Sequence, residues 1–204
     1  MQKQLFFTIL CCLFTTAIFA QRSGDDMKTL VSGTSHHGGF FAMNFKGTSI
    51  HDEPALLVGA RVGWNIDRVI AIGFAGYGLA PTVSYAPEPN QSRVRPLMGY
   101  AGLFAEPIVG SNRVVHLTFP MFIGGGWAGY LDDWNDQNDV QLQEDAVIWV
   151  AEPGANLEIN VSRWMRLGVG TSYRFVGGID KLETSYGEDF QGMNYHFMMK
   201  FGRF

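Results

Sequence analysis

From Gly38 onward the chain repeats one pattern, apolar residues at every second position, in eight stretches. They cover residues 38–46, 55–64, 68–78, 96–109, 114–126, 146–160, 164–176 and 192–204. A period of two sends successive side chains to opposite faces of a strand, so each stretch reads as a β-strand with two unlike faces. The connections alternate too. Residues 65–68 (NIDR), 110–113 (GSNR) and 160–163 (NVSR) read as tight turns, whereas 47–54, 79–95, 127–145 and 177–191 are longer and polar. An even strand number, with short turns on one rim and long loops on the other, predicts an all-β fold: an eight-stranded antiparallel up-and-down transmembrane β-barrel.

Alternation alone does not say which face is outside. A soluble eight-stranded barrel of the lipocalin type shows the same period with its apolar face inward. Volume decides between the two. One face carries Phe41, Met43, Phe45, Leu56, Val58, Val62, Trp64, Ile72, Phe74, Leu103, Leu117, Phe119, Ile123, Leu157, Val169 and Phe197, more bulk than the lumen of eight strands holds. The other face interleaves Gly59, Gly63, Gly73, Gly102, Gly168 and Gly170 with Arg61, Tyr100, Glu106, His116, Glu152, Glu158, Arg166, Arg174 and Lys200. Glycine with a few charges suits a narrow interior and weakens a solvent-facing strand. Aromatics of the bulky face gather at strand ends: Trp127, Trp149, Tyr173 and Phe175 toward the long loops, Trp64 and Phe201 toward the short turns. Two girdles of this kind belong at the two headgroup regions of a bilayer.

The amino-terminal segment sets the expected address. MQKQLFFTILCCLFTTAIFA has one early Lys, an apolar run from Leu5 to Phe19 and Ala20 before a polar stretch, the layout of a secretory signal peptide. The expected division is a signal peptide at 1–20, a flexible lead-in at 21–36 and the barrel at 37–204. Both cysteines, Cys11 and Cys12, fall within the first segment, so the processed chain would have no disulfide and no Cys-based metal site. The formal charge is −4 and becomes one unit more negative without Lys3, which argues against a nucleic-acid partner. No cofactor motif is present, so none is expected. FIGGGWAGY lacks the Lys-Ser or Lys-Thr of a phosphate loop.

The chain ends in NYHFMMKFGRF, an aromatic-rich strand that finishes on Phe204. With the export segment and the alternating loop lengths, this resembles the small eight-stranded outer-membrane barrels of the OmpA or OmpX kind, over nearly the whole processed chain. The resemblance implies residence in the outer membrane after export, with short turns in the periplasm and long loops at the cell surface. It also implies that the barrel-insertion machinery reads Tyr195, Phe197, Phe201 and the terminal Phe204. Phe204 is out of phase with the other three, and a bulge near Gly202 would restore it.

Counting from the short-turn rim brings Arg61, Glu106, His116, Glu158, Arg166 and Lys200 to similar depth. They form a predicted interior layer in which Arg and Glu pair between neighbouring strands, because buried charge without a partner is costly. A lumen plugged this way would not conduct solutes, and the function expected is structural or surface-interacting, through the long loops. Expected partners are outer-membrane lipid, the insertion machinery and a surface ligand or protein, with the barrel itself a monomer and not an enzyme. Two alternatives are a lipid A-modifying enzyme and a soluble exported lipocalin-like carrier. For the enzyme, His116 and Thr118 share a face but point inward, with no evident carboxylate partner. Asp133, Asn135, Gln137, Asp139 and Glu144 match the ligand spacing of a calcium loop, yet Asn138 stands where glycine is expected and no helices flank it, so no metal site is expected.

Overall fold

The computed structural model describes residues 37–50, 53–80, 94–132, 142–178 and 190–204. The expected signal peptide, the lead-in and most of the calcium-spaced loop lie outside the described residues. Among the described residues there are nine strands: β1 (His37–Ile50), β2 (Glu53–Ile66), β3 (Ile70–Leu79), β4 (Val94–Val109), β5 (Val115–Thr118), β6 (Met121–Asp132), β7 (Leu142–Asn160), β8 (Met165–Gly177) and β9 (Gly192–Gly202). All pairings are antiparallel, and β1 pairs with both β2 and β9, so the sheet closes.

β5 and β6 together make one barrel strand, which brings the count to the eight expected. Both pair with β4 and β7, and the register does not shift between them. The interruption falls at Phe119 and Pro120, where proline has no N–H to give the ladder. Backbone bonds from Phe119 N to Pro107 O (3.0 Å) and from Gly154 N to Pro120 O (2.8 Å) hold the gap together.

Following one row of register partners shows the tilt of the strands. Met165 on β8 leads through Phe201, Phe41, Val62, Phe74, Leu103, Ile123 and Ala151, and returns to β8 at Phe175, ten residues along. A stagger of that size with eight strands requires a tilt of about 40°. Every residue on the row belongs to the apolar face, so the row winds around the barrel as a greasy belt.

The faces divide as volume argued. Phe74 and Ile123 are each 65% exposed, whereas Arg61 is 4% and Glu158 0%.

Two boundaries need correction. The expected loop at 47–54 is an extension of the β1–β2 hairpin, since pairing continues to Ile50 and Glu53. Likewise β6 runs to Asp132 and β7 starts at Leu142, inside the expected loop 127–145. Backbone pairing continues past the point where apolar alternation stops, because alternation tracks the environment of a face while pairing needs only a neighbouring strand. The short turns are as tight as expected. Between β2 and β3, Val69 N donates to Ile66 O (3.0 Å), with Asp67 (φ 51°) and Arg68 (φ 60°) both left-handed, as a type I′ hairpin turn requires.

Candidate functional site: the ion-paired lumen

The inward side chains form two polar tiers. In the tier nearer the short turns, Arg61 (β2) bonds to Glu106 (β4), and Lys200 (β9) bonds both to Glu106 and, at 2.5 Å, to Glu158 (β7). Arg166 Nη1 stands 4.0 Å from Glu158 Oε2, and His116 Nε2 stands 3.4 Å from the same oxygen. That last approach is a contact without hydrogen-bond alignment, since neither His116 nitrogen nor Glu158 Oε2 has a hydrogen-bond partner. All six residues expected in the layer therefore point inward, on β2, β4, β5, β7, β8 and β9.

Their partnering differs from expectation. Arg61 reaches Glu106 past β3, and Lys200 reaches Glu158 past β8; only the looser Arg166 and His116 contacts join adjacent strands. In so narrow a tube a long side chain meets a group across the lumen as readily as one beside it. A second tier lies toward the long connections. There Glu152 accepts from Lys46 Nζ (2.5 Å), Ser172 Oγ (2.6 Å) and Tyr100 O–H (3.0 Å). Arg174, fully buried, donates to Phe190 O (2.7 Å), Asn194 Oδ1 (3.1 Å) and Thr48 Oγ1 (3.4 Å). Glu152 and Arg174 had been placed on the inner face without a role, and Lys46 had been missed, since it sits at the last alternating residue of its stretch.

Aromatic rings separate the charges. Lys46 Nζ lies 3.5 Å from the centre of the Tyr77 ring, the Arg61 guanidinium 4.0 Å from Phe104, the Arg166 guanidinium 4.0 Å from Phe204 and Lys200 Nζ 5.2 Å from Phe40. A cation held between a carboxylate and a ring face keeps favourable electrostatics on both sides once water is removed. These inward rings were not expected, and glycine makes room for them. A β-carbon at Gly63 would stand 2.8 Å from the Phe40 ring and 2.9 Å from that of Phe104. Between the tiers remains a cavity with about 20 Å³ of space for a water centre, bordered by Lys46, Arg61, Tyr77, Phe122, Glu152 and His196. That is room for about one water.

The remaining candidate residues fall as follows. Trp64, Trp127 and Trp149 are roughly half exposed on the outer face, Tyr173 is exposed, and Phe175 and Phe201 are half-buried there. Tyr173 packs on Phe175 (4.6 Å between ring centres), and Trp164, overlooked in the sequence, stacks on Phe201 (6.1 Å, 22°). Tyr195 and Phe197 face outward, whereas Phe204 does not join them. Pairing passes through Phe40↔Gly202 without a bulge, Arg203 N bonds to Gly39 O, and Phe204 turns into the mouth of the lumen beside Phe40 (6.3 Å). A β-carbon at position 202 would collide with the Gly39 carbonyl oxygen, so the close strand approach there requires glycine.

His116 and Thr118 are both buried, and Glu158 touches both: Thr118 O–H donates to Glu158 Oε1 (3.3 Å) and accepts from Asn156 Nδ2 (3.1 Å). The carboxylate partner absent from the sequence reading thus exists, inside the lumen, where the Thr118 hydroxyl is already engaged. Of the calcium-spaced residues only Glu144 lies in a described element, within β7, and no metal-holding cluster occurs among the described residues.

No family model and no curated protein matches the chain. Among solved structures it is similar to Neisserial surface protein A, with a TM-score of 0.53 and 11% identity over 83% of this chain and 99% of that one. The N-terminal barrel domain of Pseudomonas aeruginosa OprF has a TM-score of 0.49 at 11% identity, over 83% and 99%. Ail, the attachment invasion locus protein of Yersinia pestis, has 0.46 at 12%, over 82% and 98%. In fold, then, the chain is an eight-stranded antiparallel barrel resembling the small outer-membrane barrels.

Proposed function

We propose that the protein is an integral outer-membrane barrel with a structural or surface-interaction role, its lumen closed by the ion-paired plug and its long connections acting outside the cell. The observation that carries this reading is the pairing of an outward apolar belt with a charged interior, in which the described cavity between the tiers has room for about one water. In this reading residues 1–20 direct export and 21–36 lead into the barrel. The Trp64, Trp127, Trp149, Tyr173, Phe175 and Phe201 rings lie at the headgroup levels. The insertion machinery reads Tyr195, Phe197 and Phe201, with Phe204 as the final ring. The charged groups serve as a plug, and the barrel works as a monomer without cofactor, contacting lipid and a ligand or protein at the surface.

A lipocalin-like carrier needs the opposite arrangement of faces, with an apolar cavity for its cargo. A lipid A-modifying enzyme needs its nucleophile where a lipid can reach it, and Thr118 is buried. Fractionation should recover the mature chain in the outer membrane, with a folded band that shifts on heating in detergent; recovery in the soluble fraction would end the proposal. Planar bilayers should show no steady conductance. Deleting the gene should leave the lipid A mass unchanged, and a changed mass would favour the enzyme.

A further inference from the structure

Each of the three tight turns carries an arginine, Arg68, Arg113 and Arg163, and a fourth, Arg203, follows β9 at the same rim. Arg113, Arg163 and Arg203 are exposed and Arg68 is half-buried; among the described residues none of the four forms a side-chain ion pair. The one acidic residue in those turns is Asp67. The sequence read as long connections has the reverse sign: the stretches 47–54, 79–95, 127–145 and 177–191 hold thirteen acidic residues against three basic ones.

Beside these arginines stand apolar residues that the strands do not require. Val69, Val114, Val161 and Trp164 lie outside every strand and are 47%, 68%, 54% and 60% exposed. An oily side chain with a guanidinium next to it is poorly placed in water and well placed where acyl chains give way to phosphate. Arg68 adds an independent sign. Its φ of 60° puts a long side chain in the left-handed region, at a turn position where glycine is the unstrained choice. Strain kept at such a position points to a use for the side chain.

We propose that the short-turn rim is a binding surface for anionic glycerophospholipid headgroups, with the four arginines donating to headgroup phosphates and the neighbouring valines and Trp164 set into the acyl boundary. The guanidinium fork matches phosphate oxygens two at a time. These four arginines gather at the short-turn rim, so the preference belongs to one leaflet. The proposal rests on the membrane reading above.

The test reconstitutes the full barrel into phosphatidylcholine bilayers and first measures insertion by heat-shifted mobility and protection from protease. Spin-labelled phosphatidylglycerol and phosphatidylcholine are then compared by the fraction immobilised at the protein surface. The wild type should retain phosphatidylglycerol several-fold over phosphatidylcholine, each arginine contributing up to about fivefold. At about 1 M salt the preference should collapse, since screening then acts within about 3 Å. Arg113→Ser, Arg163→Ser and Arg203→Ser should each weaken it. Arg68→Gly should weaken it while leaving the urea midpoint equal or higher, which a merely structural arginine would not do. Equal retention of the two lipids by the inserted wild type, or an undiminished preference in the arginine variants, overturns the proposal and leaves the membrane reading intact. Failure to insert into any bilayer overturns both.

Discussion

Near the long connections, Glu152 receives Lys46, Ser172 and Tyr100, so both of its oxygens are bonded; near the short turns, Glu158 shares Lys200 with Glu106 and keeps Oε2 unbonded. The tier near the long connections dilutes its charge with hydroxyls and amides, which serve a neutral partner as well as a charged one. The tier near the short turns sets ion against ion, with the Thr118 hydroxyl donating to Glu158 beside Lys200. The unpartnered nitrogens of Arg61, Arg166 and His116 border that same tier. The difference shows that burial of charge has two solutions in one tube, and they should fail differently when a partner is removed.

The largest effect is expected at Lys200, the cation shared by two fully buried carboxylates. Lys200→Met leaves Glu106 with Arg61 alone and Glu158 with the Thr118 hydroxyl and the looser Arg166 contact, and should cost about 3–5 kcal/mol in urea unfolding from lipid vesicles. Adding Glu158→Gln should recover part of that loss, because position 158 then needs no cation while Glu106 keeps its pair with Arg61. A loss below about 1 kcal/mol for the single change would erase the distinction between the tiers.

Lys46→Met removes one charge from Glu152 but leaves Tyr100 and Ser172 donating to it, so about 2 kcal/mol is expected by the same measurement. A loss equal to that at Lys200 would mean that the hydroxyls do not dilute the charge. Arg166→Met should lower the detergent-state melting point by the equivalent of about 1 kcal/mol, since its nearest carboxylate oxygen is 4.0 Å away and its main contact is the Phe204 ring. An unchanged melting point would exclude Arg166 from the paired interior. Smallest, and opposite in sign, is the effect at the rim: Arg68→Gly should raise stability by up to about 1 kcal/mol through relief of its left-handed backbone.

Much of this was legible in the chain, and the illegible part has physical causes. The phase of Phe74 against Gly73, or of Glu158 against Leu157, follows from alternation, because one face must tolerate lipid and the other has little room. Lys46 was lost because alternation stops with it, although its strand continues to Ile50. Phe40, Tyr77, Phe104 and Phe122 stand in neither face set read from the sequence, and they fill the lumen. Their phase was readable, but an inward ring makes sense only once glycines such as Gly63 are known to stand opposite it. A bulge near Gly202 would bring Phe204 outward, but pairing continues through Phe40↔Gly202 and Phe204 turns inward over Arg166.

The sequence by itself determined the strand number, the sorting of the two faces and the unequal rims, because these depend on local period and on side-chain bulk against a bilayer. The tertiary structure alone decided which charge meets which. That depends on the ten-residue stagger: residues far apart in the chain reach the same depth only after the sheet has tilted and closed, bringing Lys200 between Glu106 and Glu158.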